Sequence, residues 1–299
     1  MANLYTHQDE NVRRTWLLMT GMFVLLIGLG FIFARADNNP TILYIFALVG
    51  VVGNITSYWY SDKIALAVSG ARPLARENGL RVYRIIENLC ITAGLPMPRL
   101  FILPGGQINA FATGRNAQHA AVAVTEGALE KLNDNELSGV LAHELSHIGN
   151  RDMLVSTLVV VFAGMIAILS DWFLRFSMFG GGRNRDNREG GGITIVLAIV
   201  SAILAPLAAT IIQLAVSRKR EYLADASGAL LTRYPEGLAS ALEKISNDGA
   251  SLPRASNATA HLYISNPLRG REKSAWFAKL FMTHPPLQDR IRILRSMGI

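Results

Sequence analysis

The chain has 299 residues, of which 51% are hydrophobic and 17% charged, with a formal net charge of +7. So few charges, against about a quarter of the residues in an ordinary soluble domain, exclude a purely water-facing globule and put part of the chain in lipid. The positive balance comes without an arginine-rich arm or a basic strand interleaved with aromatics, which sets nucleic acid aside in favour of a lipid bilayer.

The single cysteine, Cys90, excludes an internal disulfide and a cysteine-built metal site, and reads as a small buried apolar side chain. Residues 16–33 and 42–60 are the first apolar stretches, each near the shortest helix that crosses a bilayer. Arg13 and Arg14 precede the first, and Ala34-Arg35-Ala36 resembles a cleavage site. The run is nevertheless too long for the core of a signal peptide and a second one follows at once, so an uncleaved hairpin is expected. Lys63, Arg72, Arg76, Arg81 and Arg84 follow the second stretch, whereas only Arg35 lies between the two. That asymmetry puts both flanks in the cytoplasm.

Residues 61–152 read as the first part of a soluble α+β domain. A helix is predicted from about 72 to 93, then short strands at 99–104, 109–114 and 120–125 between Gly and Asn turns. A further helix opens at Asn133, with Glu136 three residues on as its capping partner. A second membrane hairpin is expected over 153–216, from apolar stretches at 154–174 and 193–216 that Asp171, Pro206 and Gln213 interrupt. Its glycine-rich connection, 180–192, carries Arg183, Arg185 and Arg188, so this hairpin either crosses the bilayer or dips into it. Residues 217–299 read as the second, mostly helical part of the soluble domain, with a loop at 251–259. The fold class is therefore α+β, mainly helical, anchored by an N-terminal hairpin (1–60) and a second one, about four membrane-associated helices in all.

The sequence HELSH carries the chemistry. His143 and His147 are one helical turn apart, so both imidazoles reach one ion. Glu144 beside them is free to take a proton from water activated by that ion, the division of labour in the H-E-x-x-H pattern. A catalytic zinc needs a third protein ligand and an open position. The extended pattern with a downstream glycine and histidine is absent, because Asn150 and Met153 stand there. Glu221 and Asp225, again one turn apart in SRKREYLADASGALL, are the best source: Glu221 as ligand, and Asp225 accepting a hydrogen bond from a ligand histidine. Alone, such a pair is a common solvated acidic face; the small Ala224, Ala226 and Gly228 beside it allow close helix packing. The three ligands must share one side of the membrane, so the chain between them crosses an even number of times.

NAFATG before HELSH, then SRKREYLADASGALL and a late THPPLQDR, resemble the HtpX family of membrane-bound zinc metallopeptidases, with the CAAX prenyl protease as a more distant relative. The resemblance covers essentially the whole chain. It implies a gluzincin-like protease domain with one zinc ion per chain, facing the cytoplasm from the bacterial inner membrane. The implied activity is endoproteolysis of damaged or misassembled membrane proteins under envelope or heat stress. His143, His147 and Glu221 match the family's zinc ligands, Glu144 its catalytic glutamate and Asp225 its supporting aspartate. Asn109, Ala110, Phe111 and Ala112 match an edge strand on which a substrate backbone would pair. His284 and Arg290 match residues that hold substrate or the oxyanion. Read by themselves, His284 before two prolines is a rigid turn and Arg290 a solvated helix charge. His7, His119 and His261 have no suitable neighbours in sequence and read as ordinary.

Two other readings compete. An intramembrane protease would bury the motif among spans, against the cost of burying charge in lipid. A non-enzymatic membrane protein with a structural metal would close the fourth position, for which His284 is the sole awkward donor.

Overall fold

The computed structural model describes residues 4–36, 38–179, 218–250, 252–256, 258–268 and 285–298. The glycine-rich connection, the fourth apolar stretch (193–216) and His284 lie outside the described residues. Helices α1 (Leu4–Ala36) and α2 (Thr41–Ser69) form the first hairpin, and α6 (Met153–Phe179) packs against both. All three are long and apolar enough to cross a membrane, over Asp9–Arg35, Thr41–Ser69 and Met153–Asp171. They meet through Met22, Leu26 and Leu29 of α1 and Leu158, Phe162 and Ile166 of α6. Leu17, Val24, Leu48 and Val52 face outward, as lipid-facing residues must.

The remaining elements fold around a four-stranded sheet of order β1-β2-β4-β3: β1 (Arg72–Pro73), β2 (Arg99–Leu103), β3 (Ala110–Thr113) and β4 (Ala121–Thr125). Strands β2 and β4 are parallel, while β1 and β3 pair antiparallel at the two edges. The helix predicted from residue 72 begins only at Leu80 (α3, Leu80–Ala93). Pro73 biases Arg72 towards extended backbone, and the two residues become β1 instead. A short helix, α4 (Glu126–Lys131), follows β4 directly and was not foreseen.

Helix α5 (Asp134–Gly149) starts at a complete capping box: the Asn133 side chain accepts from the Glu136 N–H, and the Glu136 carboxylate accepts from the Asn133 N–H. Two satisfied N-terminal donors define where the helix begins, and hence which face His143 and His147 occupy. Helices α7 (Arg218–Thr232) and α8 (Pro235–Asn247) pack on α5, and α9 (Leu287–Arg295) packs on both. The contact is backbone-close. A Cβ on Gly228 would lie 2.9 Å from His143 N, and one on Gly139 would lie 2.6 Å from Leu238 N. Residues on both sides of the second membrane stretch thus share one core, including Leu137, Leu141, Leu145, Leu238, Leu242 and Leu294.

Helix α5 does not run on into α6. It ends at Gly149, Arg151 takes a left-handed conformation (φ 56°), and α6 begins at Met153. This three-residue break turns the chain from a helix buried in the sheet-bearing domain into the long apolar α6, and it positions Asp152.

Candidate metal centre

His143, Glu144 and His147 lie in the last two turns of α5, and Glu221 in the first turn of α7. The close approach at Gly228 brings Glu221 over the histidines. Among the described residues, His143, His147 and Glu221 are the group whose donor atoms converge closely enough to hold one ion. His143 Nε2 is 3.1 Å from His147 Nε2, and Glu221 lies 4.0 Å from the first and 3.8 Å from the second. Bonds of about 2.0–2.1 Å in a tetrahedral site put donor atoms about 3.3 Å apart, so the set fits zinc with small adjustments.

The other ring nitrogens decide the tautomers. His143 Nδ1 lies 2.9 Å from Asp225 Oδ1, and His147 Nδ1 lies 3.1 Å from both oxygens of Asp152. Each carboxylate draws the proton to Nδ1 and leaves Nε2 bare. Two bare nitrogens 3.1 Å apart repel each other unless a proton or a cation lies between them. That arrangement is the strongest physical sign of a metal centre here.

Asp225 is itself clamped. Arg290 donates Nε–H to Oδ2 at 2.8 Å and Nη2–H to Oδ1 at 2.7 Å. A third donor, Nη1, reaches the Ile264 carbonyl at 3.1 Å and lies 3.7 Å from Glu221. Arg290 is fully buried behind the imidazoles. Its geometry is that of a residue positioning His143 through Asp225; the residue pattern alone reads as a solvated helix charge, and the family resemblance implies a substrate or oxyanion contact.

Burial and charge set the titration behaviour. Burial raises Glu144, only 2% exposed, from 4.5 to about 7, with Glu221 adding to the rise and His147 opposing it. Against the cost of burial, Asp152, Glu221 and Glu144 lift His147 to about 10 in the metal-free chain. Burial holds His143 below its ordinary value in spite of Asp225. Also against burial, Arg290 and His143 hold Asp225 down at about 2.

The cleft beside this centre is lined by Glu144, Ala112, Arg220, His261 and Tyr263, among others. Of the strand residues proposed to meet substrate, Ala112 lines the cleft. Phe111 is buried with its ring edge-on to Tyr263, 5.2 Å between centroids, and Asn109 is tied to Gln107 and Ser265. His261, read from sequence as ordinary, is in fact a wall of the cleft, with Nε2 donating to the Ser156 carbonyl at 2.9 Å. Asp152 was also missed; it lies five residues past His147 and needs the helix break to turn back on it. Arg220, next to Glu221, donates to Asn11 of α1 at 3.3 Å, and Asn11 in turn donates to the Asn150 carbonyl in the break. The membrane hairpin is thereby pinned to the rim of the site.

Comparison with known proteins adds the following. Residues 76–298 match the model of peptidase family M48. The chain is 47% identical over 286 residues to "Protease HtpX homolog" of Syntrophobacter fumaroxidans, covering 95% of this chain and 98% of that protein. It is 45% identical over 298 residues to the protein of the same name from Thermoanaerobacter pseudethanolicus, covering 98% of each. The crystal structure of S. mikatae Ste24p aligns with a TM-score of 0.49 and 19% identity, over 97% of this chain and 67% of that one.

Proposed function

The chain belongs to peptidase family M48 and is a membrane-anchored metalloprotease, and from its cleft we propose a zinc endopeptidase that works with Glu144 as its proton carrier. One observation carries the reading: two imidazoles, each held at Nδ1 by a carboxylate (Asp225 and Asp152), turn their Nε2 atoms to converge with Glu221 on one point, and the buried Glu144 stands beside it.

The donor set suits zinc, which when bound polarises a carbonyl and acidifies water. The chain supplies the rest. Burial raises Glu144 to about 7 in the metal-free chain, towards the range near the working pH where a general base is most effective. It takes a proton from the attacking water as the new C–O bond forms. It then returns that proton to the departing amine as the C–N bond breaks, so it ends each cycle as it began. The Ala112 backbone N–H works against the rise in Glu144 and keeps the carboxylate at the edge strand, where a substrate backbone would lie.

We place the cleft at the cytoplasmic face of the bacterial inner membrane, with damaged or misassembled membrane proteins as substrates under stress. Support comes from the basic residues flanking the first hairpin, from α6 starting after a break of only three residues beyond α5, and from the relatives named HtpX protease. Purified chain in detergent should cleave an unfolded polypeptide such as casein only when loaded with zinc. Glu144→Gln should keep the metal and lose activity about 10²–10⁴-fold, the span of a positioned general base. Undiminished cleavage by that variant would remove Glu144 from the mechanism.

A further inference from the structure

The edge of β3 has an occupant from within the chain. Residues 260–265 begin with a short 3-10 turn (Ala260–Leu262) and then run along the cleft. Ile264 N–H donates to the Ala110 carbonyl at 3.1 Å. Asn109 grips the next residue from both sides, Nδ2 donating to the Ser265 carbonyl at 3.0 Å and Oδ1 accepting from Ser265 N–H at 3.4 Å. Arg290 holds the Ile264 carbonyl, His261 holds the segment to Ser156 of α6, and Tyr263 packs on Phe111. All six residues are buried.

The pairing of β3 explains what this costs a substrate. Thr125 N–H donates to the Asn109 carbonyl, and partners alternate along an antiparallel ladder. The main-chain groups of Ala110 and Ala112 therefore point away from β4, to the side where another strand would add. The segment has already taken the Ala110 carbonyl.

We propose that residues 260–265 form an internal strap on the edge of β3, and that a polypeptide reaches Glu144 and the metal ligands only by displacing it. This deepens the endopeptidase reading and rests on it. The strap is fastened by single, mostly neutral hydrogen bonds together with the burial of Leu262, Tyr263 and Ile264 in the core, and losing one hydrogen bond shifts an open–closed balance about three- to tenfold. Its fastenings run to the membrane helix α6, to the sheet edge and, through Arg290, to the brace of His143.

The test uses zinc-loaded full-length chain in detergent, with casein as the probe. In the Glu144→Gln background, saturating casein should speed amide exchange of residues 262–265 and leave β4 unchanged. In the active background, His261→Ala and, independently, Ile264→Pro should raise kcat/KM for casein about three- to tenfold, provided zinc content and thermal unfolding match the parent. Casein cleavage by the wild type with no faster exchange in the strap would overturn the strap and leave the protease. Faster exchange without any cleavage would overturn the protease and leave a binding cleft closed by the strap. A folded, zinc-loaded His261→Ala chain with lowered kcat/KM would also overturn the strap, assigning His261 to catalysis instead.

Discussion

The two imidazoles of the centre are braced by different means. His143 leans on Asp225, which comes from another helix and is itself clamped by the buried Arg290. His147 leans on Asp152 from the break just beyond its own helix, and its side chain is 17% exposed. The first brace is a buried charge chain that belongs to the fold as much as to the site. The second is a local carboxylate that aims one ring and also faces Arg220. The difference separates what holds the protein together from what tunes the metal.

Removing each brace should expose that separation. Asp225→Ala strands Arg290 as a buried, poorly paired cation, which costs about 3–5 kcal/mol of stability, and it lowers zinc affinity about 10–100-fold. Chemical unfolding and competition against a zinc chelator measure the two effects. Adding Arg290→Met should recover much of the stability and none of the affinity, because the stranded charge is gone while His143 is still unbraced. Full recovery of both would show that Arg290, and not Asp225, governs the ligand.

Asp152→Ala should lower zinc affinity by a similar factor of about 10–100 but cost only about 1–2 kcal/mol, the scale of a lost hydrogen bond. A stability loss as large as that of Asp225→Ala would erase the contrast between the two halves.

The smallest expected effect is a proton count. In the metal-free protein His147 is raised to about 10 and His143 is lowered, so near pH 8 the first is charged and the second neutral. Zinc binding at that pH should release the His147 proton, with any ionisation of metal-bound water adding to it, read from the dependence of binding heat on buffer ionisation. Asp152→Ala removes the main cause of the rise and should lower the release by up to one proton. No release from the wild type would mean that no proton bridges the two nitrogens.

The group that could hold a metal is legible because its spacing is local. A turn of helix brings His143 to His147, and the same turn brings Glu221 to Asp225, so helical periodicity shows both pairs before any tertiary contact is known. Gly228 foretells that the two helices meet closely, as they do. The hairpin helices are likewise readable from length and apolarity alone. Asp152 is not readable, because a continuous helix would carry it past His147, and only the left-handed Arg151 turns it back. His261 is not readable either; its importance arises from hydrogen bonds spanning more than a hundred residues, which no local pattern encodes. Arg290 reads from its own pattern as a solvated helix charge and stands out only through the family resemblance, because its burial against Asp225 is a tertiary contact between helices 65 residues apart.

Zinc stoichiometry after equilibrium dialysis of the wild type, Glu144→Gln and Glu221→Ala, run side by side, tests the convergence most directly. One zinc per chain in the first two and little or none in the third is the expected result. A Glu221→Ala chain that keeps one zinc as tightly as the wild type would contradict it.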